Sequence, residues 1–106
     1  MIEEITPADF VRRRDSGESL TLLDVREPRE LAIASVPGAI HIRMAEVPAR
    51  LAELDRDGEI VVMCHSGVRS LAVARFLVQQ GFEKVANLAG GISRWGREVD
   101  PTMRQY

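Results

Sequence analysis

Short apolar runs alternate with helix-length segments along most of this chain, and that alternation constrains the fold more than any other feature. "LTLLDV" (Leu20–Val25) is a short β-rich run. Ala39–Ile42 follows the turn residues of "VPGAIHI", and "KVANL" (Lys84–Leu88) is another strand pattern. "IVVM" (Ile60–Met63) is apolar without alternation, which suits a central strand covered on both faces. Each connection is long enough for a crossover, which antiparallel hairpins do not need. The pattern predicts an open α/β sheet, mostly parallel, with helices on both faces.

Helix signals fill the gaps. Thr6-Pro7-Ala8-Asp9 reads as an N-cap, a proline at the first helical position and an acid in the first turn. That helix carries Phe10 and Val11 inward and ends near "RRRDSG". The run Arg12–Arg14 reads as a solvated, dipole-complementing helix end rather than a nucleic-acid patch. "EPRELAIA" reads as a short helix opened by Pro28. "AEVPARLAELD" reads as a helix with Val47, Leu51 and Leu54 on one side. Ser70–Gln80 is a strong helix pattern with Leu71, Ala74, Leu77 and Val78 on one stripe, ended by Gly81. "GGISRWGREV" gives a glycine turn and a last short helix, with Trp95 expected in the core. Residues 1–106 read as one domain, with 100–106 a short C-terminal tail.

Composition narrows the function classes. A net charge of −2 gives no electrostatic case for nucleic acid. No segment approaches the roughly 18 uninterrupted apolar residues of a membrane span, and the acidic start does not read as a signal peptide. The expected location is the cytoplasm. The single cysteine excludes an internal disulfide, and one Cys with two His is too few for a zinc site.

That cysteine, Cys64, stands at the C-terminal end of the most apolar strand, where open parallel sheets place their ligands. No residue from His65 to Leu71 is proline, so every amide of the turn keeps its N–H. Gly67 can take the positive φ that closes a tight loop. The following helix N-terminus adds unpaired N–H groups and a partial positive charge, and Arg69 a forked donor. Such a cradle binds anions and lowers a thiol pKa.

Lowering that pKa gains little by itself. A thiol at ~8.5 is roughly 3% thiolate at pH 7, and at an assumed ~6.5 about 75%. A Brønsted slope of ~0.4–0.5 then takes back roughly 6- to 10-fold in nucleophilicity. The larger duty of the loop is to hold an anionic substrate and its covalent intermediate. A buried, inert thiol is the plain alternative.

The order of motifs resembles a single-domain rhodanese of the thiosulfate sulfurtransferase type. "LLDVREPREL", "VPGAIHI", "CHSGVRS" and "NLAGGISRW" are similar to that family's successive signatures across essentially the whole chain. The resemblance implies a rhodanese-like sheet of about five short strands and a persulfide relay. Cys64 would take the outer sulfur of a donor such as thiosulfate and pass it to cyanide, a thiol or a sulfur-carrier protein. No metal or organic cofactor is implied, the covalent Cys64 persulfide being the intermediate.

Further roles follow from the same resemblance. The loop His65, Ser66, Gly67, Val68, Arg69 and Ser70 would cradle the persulfide, with Arg69 and His65 facing the donor's oxyanion. Asp24 and Arg26 would be structural; His41, by its own place inside a strand, reads as a packed or edge residue. Gly90 and Gly91 would make a turn at the rim. Cysteine phosphatases carry Cys-x5-Arg; Cys64 to Arg69 is Cys-x4-Arg, a loop shortened toward sulfur and away from phosphate.

Two departures stand out: Ala34-Ser35-Val36 replaces a frequent Gly-His before the Pro-Gly turn, and His65 replaces a frequent cation after the cysteine. "VDPTMRQY" resembles the ends of rhodanese domains fused to enzymes that activate sulfur carriers. A non-catalytic interaction module and a redox-sensing thiol are the competing readings.

Overall fold

A computed structural model describes residues 2–106. Five strands form one parallel sheet: β1 (Glu3–Ile5), β2 (Leu20–Asp24), β3 (Ile40–His41), β4 (Glu59–Met63) and β5 (Val85–Leu88), in the order β1-β5-β4-β2-β3. The helices are α1 (Pro7–Asp15), α2 (Pro28–Leu31), α3 (Val68–Gln79) and α4 (Gly91–Glu98). β4 is central, and its alternation builds both halves of the core. Ile60, Val62 and Cys64 join Leu23, Val25, Val73, Ala74 and Leu77 on one face. Val61 and Met63 join Phe10, Leu22, Ile92 and Trp95 on the other. A strand with both faces covered needs no polar side, which is why "IVVM" is unbroken.

The first helix follows its sequence signals. The Thr6 side chain accepts from the Asp9 N–H at 3.0 Å, and Pro7 opens the helix. Phe10 is buried against Trp95, while Val11 is only half-buried. Arg12, Arg13 and Arg14 pair with Asp9, with Glu18 and Glu59, and with Asp15, respectively.

Several expectations need correction. Residues 45–55 do not form an α-helix; they form two 3-10 segments, Met44–Ala49 and Leu51–Glu53. Pro48 lacks an N–H and crowds the preceding turn, so an α-helix cannot run through it. Val47 and Leu54 are still buried and Leu51 is partly buried against the same core, so the apolar spacing predicts the inward side and not the helix geometry.

In α3 the inward positions are Ser70, Val73, Ala74 and Leu77, the i, i+3, i+4, i+7 set. Val78 is 47% exposed and Leu71 half-buried. The stripe is turned because a polar residue, Ser70, takes an inward place to reach Cys64. The helix also starts at Val68, not near Ser70.

The segment after Pro28 is helical for only four residues. Its Glu27–Glu30 capping box starts it, and the Arg26 guanidinium then takes the Glu30 and Ala34 carbonyls at 3.4 and 2.9 Å. The strand after the Pro37-Gly38 turn is likewise short, Ile40–His41. The turn itself closes normally, with Ala39 N–H to the Val36 carbonyl at 3.2 Å and Gly38 at φ 85°. The altered residues before it leave that turn intact. β1 is a strand that the sequence pattern does not predict.

Candidate active site

Cys64 follows the last residue of β4, and two glycines shape everything around it. Gly67, at φ 110°, is the N-cap of α3 and turns the chain back over the thiol. Its N–H points at Sγ from 3.1 Å. The Ser70 hydroxyl donates to Sγ from 3.3 Å. The backbone N–H groups of Ser66 and Ser70 add to the polarity around the same atom and favour its anion. Burial pushes this thiol up, but the Ser70 hydroxyl and the Ser70, Gly67 and Ser66 amides outweigh it and leave the pKa below the ordinary thiol value.

The loop is fixed from behind by α4. Ile92 N–H donates to the Cys64 carbonyl at 2.9 Å, and Ser93 N–H to the His65 carbonyl at 3.1 Å. The first amides of one helix thus hold the carbonyls, while the turn's own amides face the sulfur. Gly91 makes this approach feasible: at φ 59°, a Cβ there would overlap both carbonyl oxygens. From the side, the Asn87 amide donates to the Gly67 carbonyl at 3.1 Å and to the Glu4 carboxylate at 3.0 Å.

The Gly91→Ala protein is expected to lose about 2–4 kcal/mol, from positive-φ strain and the displaced loop bonds. Denaturant unfolding measures it. A loss under about 1 kcal/mol would mean the α4–loop contact is slack.

The other loop residues separate by exposure. Ser66 and Val68 face solvent, Val68 at 76%, and neither side chain touches Sγ. Arg69 does not stand open to a donor. Both of its terminal nitrogens pair with Glu30, at 2.7 and 2.9 Å. His65 lies half-buried under the Tyr106 ring, 3.9 Å away and nearly parallel at 7°.

Asp24 and Arg26 are buried together beside the loop's support. Arg26 donates to both Asp24 oxygens, to the Ala34 carbonyl and to the Tyr106 hydroxyl at 2.9 Å. The His41 ring lies 2.6 Å from the Arg26 carbonyl on edge strand β3.

A cavity of about 400 Å³ opens beside the loop, lined by Arg29, Glu30, Ile33, Arg69 and Tyr106. A larger hollow of about 460 Å³, lined by Ile2, Glu4, Leu71, Arg75, Val78 and Gln79, contains no residue of the 64–70 loop. Of the two, only the smaller reaches the 64–70 loop, through Arg69. Sequence reasoning missed Glu30, Asn87, Glu4 and Tyr106. Only Glu30 carried a local signal, its place three residues after Glu27 in a capping box.

Residues 6–98 match the family model described as "Rhodanese-like domain". The chain belongs to the rhodanese-like domain family. Its five-stranded parallel sheet is that of a rhodanese-like domain, and similarity extends to named relatives. It is 42% identical over 100 residues to a Bacillus subtilis protein named "Putative sulfurtransferase YtwF", covering 94% of this chain and 96% of that one. It is 46% identical over 94 residues to "Putative sulfur carrier protein YrkF" of the same organism, covering 89% of this chain and 51% of that one. A rhodanese-related protein from Thermoplasma volcanium superposes with a TM-score of 0.82 at 35% identity, covering 92% of this chain and 93% of its own. Among the described residues, no helix is long and apolar enough to cross a membrane.

Proposed function

We propose that this rhodanese-family protein is a sulfurtransferase that carries sulfane sulfur on Cys64. The observation that carries this reading is the Gly67 N–H at 3.1 Å and the Ser70 hydroxyl at 3.3 Å converging on one buried sulfur. Those donors stabilise a thiolate, and after attack they face the terminal sulfur of a persulfide, which is also an anion. The thiolate attacks the outer sulfur of a donor; the bond from that sulfur to its leaving group breaks, and the leaving group departs with the electron pair. With thiosulfate the leaving group is sulfite. A thiol, cyanide or a protein acceptor then attacks the outer sulfur and regenerates the thiolate. The likeness to a protein named as a sulfur carrier supports a protein acceptor.

The test is intact-mass measurement of the folded protein after exposure to thiosulfate and to an alkyl persulfide. The expected result is a gain of one sulfur atom, removed by cyanide as thiocyanate. Because the thiol is lowered, the reactive fraction should rise with pH and level off below the ordinary thiol range of ~8.5. Protein that gains no sulfur from either donor would overturn the reading. Peroxide oxidation outpacing sulfur uptake would favour a redox sensor instead.

A further inference from the structure

Between them, the tail and α2 occupy the one cation the loop provides. Residues 100–106 are not a loose end. Thr102 is folded back on Asp100, and Gln105 donates to the Ser93 carbonyl at 3.1 Å. That docking on α4 delivers Tyr106 to the site. The Tyr106 ring lies on His65, and its hydroxyl donates to Glu30 at 2.8 Å while accepting from Arg26.

Glu30 is 8% exposed. It receives both Arg69 nitrogens, the Tyr106 hydroxyl and the Glu27 N–H at 3.1 Å. The Arg69 bonds, against a smaller opposing effect of burial, pull its carboxyl down to about 2, so the pair does not open by titration near neutrality. Asp24, Arg26, Glu30 and Arg69 together sum to zero charge. Of the cavity's lining, Arg29 is left as a cation toward solvent, while Ile33 and Tyr106 supply carbon surface.

Resting on the sulfurtransferase reading, we infer that Glu30, held by Tyr106, is a specificity-determining residue that disfavours dianionic sulfonate donors and favours low-charge alkyl persulfides. A thiosulfate sulfonate entering this cavity must displace a buried carboxylate from Arg69 or sit beside it, and like charges close together cost affinity. An alkyl persulfide needs no such cation. Its outer sulfur bonds to Cys64 Sγ as its inner S–S bond breaks, and the thiolate RS⁻ leaves with the electron pair. Its carbon chain can lie along Ile33 and Tyr106.

The experiment compares wild type, Glu30→Gln and Tyr106→Phe with thiosulfate and with cysteine persulfide. Glu30→Gln keeps the length and the accepting oxygen of the capping box while removing the charge. The ratio of kcat/KM for thiosulfate to that for the persulfide should rise about tenfold, mostly through KM, as one unit charge near the donor is removed. Tyr106→Phe keeps the ring on His65 and loses only the hydroxyl, so the same ratio should rise roughly 2- to 3-fold.

Titration of thiosulfate into Cys64→Ser protein, with and without Glu30→Gln, reads the same preference without turnover. The Glu30→Gln partner should bind about tenfold more tightly. If wild type accepts no sulfur from any donor but this binding difference holds, the catalytic reading fails and the charge assignment stands. If the ratio is unmoved in whichever variants fold, and the binding is unmoved, the assignment is overturned.

Discussion

The Cys64→Ser protein should fold as the wild type does and take up no sulfur. Serine is nearly the same size, and position 64 is 1% exposed, so the core around it need not move. Its hydroxyl can accept the Gly67 N–H and the Ser70 hydroxyl that now reach the sulfur. Stability should therefore change by no more than about 1 kcal/mol. Chemistry should not survive the exchange, because an alcohol has no persulfide and stays protonated at neutral pH. Thiocyanate formation should fall by at least ~10³-fold and the sulfur mass should be absent. Sulfur uptake persisting in this variant would remove Cys64 from the mechanism. Persistence of the cellular role without sulfur uptake would instead point to a module that binds partners without transfer.

That residue illustrates what the sequence can carry. The site's centre is a local object: strand, cysteine, glycine turn, helix. Consecutive residues encode it, so the sequence alone is enough to name them. The sheet is legible for the same reason, since "IVVM" and "LTLLDV" state their burial in their own composition.

The features that escape the sequence are either charged and brief or distant. β1 is only "EEI", an edge strand with two exposed glutamates. Ser70 is a polar residue on an inward stripe, so apolar periodicity selects Leu71 in its place. The Pro48 segment keeps its apolar spacing but cannot keep α geometry. The partners of Arg69 and His65 come from Glu30 and Tyr106, 39 residues before and 41 after, and no spacing rule links them. The consequence is functional: the sequence shows an arginine free to bind an anion, and the fold shows it already paired.

Asp24→Ala should be the most damaging substitution to stability. Arg26 is completely buried and Asp24 nearly so, and the guanidinium meets both carboxylate oxygens, closest at 2.8 Å. Removing the carboxylate leaves a buried cation facing only the Glu30 and Ala34 carbonyls and the Tyr106 hydroxyl. Such a half-broken buried pair typically costs about 3–5 kcal/mol, a large share of the ~5–15 kcal/mol that holds a domain together. Urea unfolding should show the midpoint falling with an unchanged slope.

The double variant Asp24→Ala with Arg26→Met tests whether charge is the cause. It removes both ions, so its loss should be clearly smaller than the sum of the two single losses. A loss that is simply additive would mean that packing volume, and not the unpaired ion, sets the cost. The pair also bears on the site. Arg26 holds the Tyr106 hydroxyl, which holds Glu30, which holds Arg69, so the double variant should also shift donor preference toward thiosulfate, in the direction expected for Tyr106→Phe. Stability and specificity would then be read from one buried ion pair, the first through its charge and the second through the hydrogen bond it lends to the tail.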